Sequence, residues 1–191
     1  MHVLVVLVLV LVPAAAAAQG QDPVAGYVLD LRGATSNLPT ETAFFPGIPL
    51  ETIVPARGFG FDVGAHVYVL RLGPSRVGLG ANYLRVRGTT MGIVANTSTV
   101  APQVSFNFGT ANGWSYLSAG LGRAWVTTHF DDDESDAVTA ESESLNATNY
   151  GGGARWFLTR RLAVGFDARF HRISGPPKAS LFSVSVGFSV R

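Results

Sequence analysis

Seven of the chain's 13 acidic residues fall between positions 131 and 143, with no basic residue among them. They are Asp131, Asp132, Asp133, Glu134, Asp136, Glu141 and Glu143. Clustered carboxylate oxygens are the hard ligands that Ca²⁺ and Mg²⁺ take. Asp131, Asp132, Asp133, Glu134 and Asp136 are therefore the candidate cation ligands. An EF-hand loop needs glycine at its sixth place, and this run has none there. The competing reading is a solvated, self-repelling connection. That reading takes precedence, so no metal is assigned.

Other chemistry finds fewer supports. His66 and His171 would make an acid–base or metal pair only beside a carboxylate such as Asp62 or Asp167, and interior hydrogen bonding is the commoner use of such histidines. Cysteine is absent, which excludes thiolate catalysis, thiolate metal sites and disulfides. No G-x-S-x-G nucleophile turn occurs. Gly151-Gly152-Gly153 is followed by no Lys-Ser/Thr, so it is not a phosphate loop. Asn96-Thr97-Ser98 and Asn146-Ala147-Thr148 match the glycosylation sequon, which carries weight only in a secreted eukaryotic chain. No catalytic residue and no cofactor is assigned. The net charge of +1 excludes a nucleic-acid binder that works through a broad basic surface.

The elements that carry these residues have a period of two. Leu162, Val164, Phe166, Ala168 and Phe170 alternate with Ala163, Gly165, Asp167 and Arg169. Phe182, Val184, Val186, Phe188 and Val190 alternate with Ser183, Ser185, Gly187 and Ser189. Phe59, Phe61 and Val63 alternate with Gly60, Asp62 and Gly64. Strict alternation sets one face of a strand in an apolar medium and the other in a polar one. Eight such segments are predicted, near 25–34, 58–70, 76–87, 99–109, 114–127, 147–158, 162–173 and 180–190. Tight connections at 73–75, 110–113 and 159–161 alternate with longer ones at 35–57, 88–98, 128–146 and 174–179. One end of the structure should therefore carry all the elaborated loops.

Residues 1–18 read as a secretory signal peptide. Ten consecutive Val and Leu from Val3 to Val12 precede Pro13, and Ala14 to Ala18 supply an A-x-A cleavage site. The n-region departs from the pattern, with only His2 and the start amine. A spanning helix would need about 20 apolar residues, more than this segment offers. Residues 19–191 form the predicted barrel domain.

Eight alternating antiparallel strands can close in water or in lipid, and the polar face decides between them. It carries Asp30, Arg32, Asp62, Arg155, Asp167 and Arg169, expected to compensate one another as interior ion pairs. Gly, Ala and Ser fill much of the rest, as a narrow interior requires. A soluble barrel would instead show an outer face rich in Lys and Glu, yet charged residues make up only 14% of the chain. Phe59, Phe61, Val63, Val164, Phe166, Phe170, Val184, Val186 and Phe188 are then the lipid-facing set. Tyr27, Tyr83, Trp114, Trp125, Tyr150 and Trp156 are expected in interfacial girdles. Arg85 and Arg87 share the parity of Val77, Leu79, Ala81 and Tyr83, and should sit just beyond the apolar band, in rim water or against anionic headgroups.

At this point the chain resembles the small eight-stranded outer-membrane β-barrels of Gram-negative bacteria, the OmpA-like and OmpX-like barrels. The signal segment carries the likeness, with Trp114 to Gly122, Tyr150 to Thr159 and the terminal strand Phe182 to Arg191. The resemblance implies an all-β, eight-stranded antiparallel up-and-down transmembrane β-barrel in the outer membrane. It implies outer-membrane lipids and lipopolysaccharide as surroundings, the barrel-assembly machinery as a partner during biogenesis, no nucleic acid, and a monomer. Its members usually end in an aromatic, whereas here the alternation runs out at Arg191. The expected function is structural, adhesive or interactive, through the outer loops and without catalysis. The alternatives are a small porin-like channel, an outer-membrane lipid-modifying enzyme, and a soluble ligand-binding barrel.

Overall fold

The structure is a computed structural model that describes residues 24–46, 53–132 and 135–191, with 131–132 and 135–138 described by their backbone. The segment 1–18 lies outside the described residues. Alternating side chains produce nine strands: β1 (Tyr27–Asn37), β2 (Arg57–Leu72), β3 (Ser75–Thr90), β4 (Ile93–Thr110), β5 (Gly113–Asp132), β6 (Ser135–Glu141), β7 (Leu145–Phe157), β8 (Leu162–Ser174) and β9 (Ala179–Val190). All pairings are antiparallel, and β1 bonds to both β2 and β9. Eight strands thus close into a cylinder, leaving no free edge along the wall. β6 is an appendage on the distal end of β5.

The strands tilt as closure demands. Following the pairs from Val28 through His66, Gly80, Gln103, Gly120, Asn149, His171 and Leu181 leads back to β1 level with Leu38. A row thus climbs ten residues, from 28 to 38, in one circuit. That offset is the shear that links strand number to tilt and diameter.

The start of β1, the C-terminal end of β9 and three tight turns, near 73–74, 111–112 and 158–161, share one end. The other end carries the β1–β2 connection with a 3-10 turn at Thr42–Phe44, the β5–β6 hairpin and the β8–β9 loop. Two of the expected connections are corrected. Residues 88–98 are no loop, because β3 and β4 continue until a turn at Met91-Gly92. There both residues take positive φ, 47° and 77°, the geometry of tight hairpins. Within 128–146 the described residues are mostly strand, with β5 reaching Asp132 and β6 folding back along it.

The interior is filled in three layers. At the long-loop end, Leu84, Val86, Ile93, Val126, Ile173 and Leu181 form an apolar layer, sealed by Leu38, Phe44 and Phe45 from the β1–β2 connection. At the short-turn end, Val24, Val28, Tyr68 and Trp114 form a second. Polar and charged side chains occupy the middle. The alternation rule alone predicts a polar interior throughout. Both ends depart from it, because the plugging side chains need apolar partners to bury against. Trp114 departs with them. It was expected in a girdle, but it points inward at 2% exposure, stacked on Phe157 with centroids 4.8 Å apart. Tyr83 and Tyr150 lie within strands, opposite Val63 and Phe170.

Candidate functional site

The middle layer is the densest concentration of ionisable groups in the described residues. Inward positions of four strands supply Asp30 and Arg32, Asp62, Arg155, and Asp167 and Arg169, all at most 3% exposed. Arg155 grips Asp30 with two parallel bonds, Nε donating to Oδ1 at 2.8 Å and Nη2 to Oδ2. Ser189 also donates to Asp30. Arg32 Nη2 lies 2.8 Å from the same carboxylate, and its Nη1 reaches Asp62 at 3.4 Å. Asn82 donates to Asp62 at 2.8 Å.

The second cluster centres on Asp167. Arg169 meets it through Nε at 3.1 Å and Nη2 at 2.9 Å. Arg169 also donates to Asn149 at 3.1 Å and Ser118 at 2.8 Å, and Gln103 donates to Asn149 at 2.9 Å. Tyr116 joins the clusters. Its hydroxyl donates to Asp167 Oδ2 at 2.7 Å, while the Arg155 guanidinium lies over its ring, 4.0 Å from the centroid. Three acids thus face three arginines, and the layer is neutral. Charges removed from water persist only when paired and hydrogen-bonded, and here each carboxylate has a cation and at least one further donor.

The six interior charges expected from the sequence are therefore brought together. Ser189 joins from the polar face that the alternation of the terminal strand already marks, while Tyr116, Ser118 and Asn149 are network members that the sequence does not single out. On β5 the segment 114–127 sets Leu117, Ala119 and Leu121 on one face with Arg123, which blurs the parity, and on β7 the run Gly151-Gly152-Gly153 does the same.

Glycine makes the network possible. Tyr116 lies opposite Gly153, Arg169 opposite Gly151, Arg155 opposite Gly165 and Arg32 opposite Gly187. A Cβ on Gly153 would meet the Phe166 carbonyl and come within 2.9 Å of the Tyr116 hydroxyl. Large and small side chains alternate across each strand pair, as a narrow barrel requires.

The histidines do not join. His171 Nε2 lies 3.1 Å from Ser183 Oγ, but its Nδ1 faces Thr99 at 3.4 Å and not a carboxylate. A Ser–His pair without an orienting acid, buried inside the wall, has neither the geometry nor the access of a hydrolytic site. His66 stands opposite Gly80, with no hydrogen-bond partner on either nitrogen. Among the described residues no group of acids and histidines could hold a metal ion. Asp133 and Glu134 of the candidate cation ligands lie outside the described residues. Asp131, Asp132 and Asp136 are placed by backbone only, on β5 and β6.

On the outward face, Phe59, Phe61, Val63, Phe166, Phe170, Val184, Val186 and Phe188 are exposed, by between 36% and 70%. Val164 shares the face and is half-buried, with Trp156 and Phe188 as its cross-strand neighbours. So much large apolar surface on all sides of a folded chain is untenable in water. No helix among the described residues is long and apolar enough to cross a membrane, which says nothing of a barrel. At the long-loop rim, the connections around Phe44, Glu141 and Pro177 frame a cleft of about 180 Å³.

A closed eight-stranded cylinder, apolar outside and filled with neutralised charge inside, defines a transmembrane β-barrel. The chain belongs to the outer membrane protein beta-barrel domain family, whose model matches residues 4–189. Comparison with curated proteins gives no significant match. Among solved structures it is similar to Neisserial surface protein A, at 14% identity and a TM-score of 0.65, over 87% of this chain and 97% of that one. It is also similar to Ail, the attachment invasion locus protein of Yersinia pestis, at 13% identity and a TM-score of 0.54, over 86% and 97%. A second Ail structure, in complex with the heparin analogue sucrose octasulfate, aligns at 12% identity and a TM-score of 0.53, over 86% and 96%. At these identities the likeness is one of fold.

Proposed function

We propose that the protein is a non-conducting, non-catalytic barrel of the Gram-negative outer membrane that acts through the loops it holds outside the cell. In this reading residues 1–18 direct export and are removed, the barrel-assembly machinery inserts the remainder, and the barrel stands as a monomer. The observation that carries the reading is the filled lumen. Two apolar layers bracket a neutral ion-pair layer, which leaves the loop-bearing rim as the region with varied exposed chemistry. Surface contact has precedent in the fold, since Ail is by its name an attachment invasion locus protein.

The test is single-channel recording of the refolded full barrel in planar bilayers. The expected trace is flat up to the voltage at which the bilayer itself fails. Reproducible discrete steps would overturn the non-conducting reading in favour of the small channel. A filled lumen gives that alternative no continuous aqueous path.

A further inference from the structure

Among the described side chains, the upper half of the outward face carries charge at one level only. Arg85 and Arg87 on β3, Arg123 on β5, Arg57 on β2 and Arg172 on β8 all point outward and are exposed. Tyr83, Leu121 and Phe170 lie directly beneath Arg85, Arg123 and Arg172 on the same strands and the same face. The register fixes the level. Arg85 stands opposite Phe61 and Ser98, and Arg87 opposite Phe59 and Asn96. Arg123 shares its row with Val100 and Tyr83. Tyr83 is two residues below Arg85, but rows climb with the shear, by about two and a half residues over two strands. Arg123 therefore stands level with Arg85.

Among the described side chains no Asp or Glu faces outward from the eight wall strands. The acids at this end, Glu41, Glu141 and Glu143, belong to the connections and to β6. The four ion pairs found among the described residues all lie in the lumen, so none involves these arginines. An arginine stem can lie along apolar surface while its guanidinium stays at the polar boundary. Planar guanidinium groups match phosphate oxygens two at a time.

We propose that Arg85, Arg87 and Arg123 form a binding site for a membrane lipid whose headgroup carries more than one phosphate, seated in the leaflet at the long-loop end. The inference rests on the membrane placement used above. The requirement for two phosphates comes from spacing. β3 and β5 are two strands apart, about 10 Å at the usual strand separation. A single glycerophosphate bridges the Arg85–Arg87 pair or meets Arg123, but does not span both. The neutral Ser98 and Asn96 of β4 lie between them and offer hydrogen bonds to a sugar. A phosphorylated glycolipid of the lipid A type fits this pattern of cation, polar gap and cation.

The test uses the full barrel in neutral detergent, titrated with diphosphoryl lipid A, monophosphoryl lipid A or phosphatidylglycerol, and read by native mass spectrometry. The expected result is at least tenfold tighter retention of the diphosphoryl lipid than of either other lipid. That advantage should fall with salt and vanish in the R85Q/R87Q/R123Q variant. Unchanged retention in that variant, or diphosphoryl lipid binding no tighter than phosphatidylglycerol, would overturn the proposal. Folding of the variant is read independently by its unfolding midpoint. Failure of this site leaves the flat-conductance test untouched, and a conducting barrel would leave the lipid order unaffected.

Discussion

Arginine serves two opposite situations within a few ångströms of barrel wall. Arg32, Arg155 and Arg169 point inward and are nearly inaccessible, each against a carboxylate. Arg85, Arg87 and Arg123 point outward on the same cylinder, with no acid beside them on the wall among the described side chains. One residue of register separates the two environments. Inside, the guanidinium completes a neutral layer that the fold cannot lose without stranding a carboxylate. Outside, it leaves a charge that only something from the surroundings can satisfy. The same side chain is structural on one face and available for recognition on the other.

The largest effect separates these two sets directly. Arg155→Met removes two bonds from Asp30 and the cation over Tyr116, leaving three buried acids facing two arginines. Breaking a buried pair from one side costs about 3–5 kcal/mol. Urea unfolding in detergent, followed by tryptophan emission, should show a loss of that size. Adding Asp30→Asn to Arg155→Met restores the charge balance and should recover a good part of it. Arg85→Gln should move the same midpoint by no more than about 0.5 kcal/mol, as a surface substitution does. Equal losses at Arg155 and Arg85 would erase the distinction.

A somewhat smaller effect contrasts the middle layer with the plug above it. Phe44 and Phe45 are each 4% exposed and pack on the apolar upper layer. The F44A/F45A double variant should lose about 3 kcal/mol or more, the usual range for buried Phe→Ala. Because the ion-pair layer lies beneath, this variant should still give a flat conductance trace. Conductance steps here alone would locate the seal in the loop and not in the network.

The legibility of these features in the sequence follows from how local each one is. The wall was readable because a period of two is a property of consecutive residues, as in Leu162 to Phe170. The inward side of the six charges followed from the same parity. Which acid meets which arginine was not readable, since Asp30 and Arg155 are 125 positions apart and meet only through closure. Trp114 was misplaced because an aromatic near a strand end suits either an interfacial girdle or a plug, and only the inward parity of its neighbours Tyr116 and Ser118 settles it. By propensity, Gly151-Gly152-Gly153 weakens a strand. Across the wall Gly151 and Gly153 make room for Arg169 and Tyr116, so an apparent defect is a packing requirement. Residues 88–98 read as a connection because Asn96, Thr97 and Ser98 are residues common in loops. On a strand that rises past the apolar band, such residues suit both faces.

The finest division lies within one side chain. Tyr116 contributes a hydroxyl to Asp167 and a ring to Arg155. Tyr116→Phe removes only the first. Asp167 Oδ2 keeps Arg169 Nη2 at 2.9 Å, so the carboxylate is not orphaned and the loss should be near the lower end of the range for a bond to a charged group, about 1.5 kcal/mol. Tyr116→Leu removes the ring as well. It uncovers the Arg155 guanidinium, one nitrogen of which already lacks a hydrogen-bond partner. A desolvated cation–π contact is worth about 2 kcal/mol, so Leu should be the worse variant by roughly that amount in the same urea assay. If Phe and Leu prove equally damaging, the hydroxyl alone joins the two charge clusters and the stacked ring is incidental packing. If Phe matches the native chain and Leu does not, the clusters are coupled through the aromatic face, and Asp167 is held by Arg169 without help.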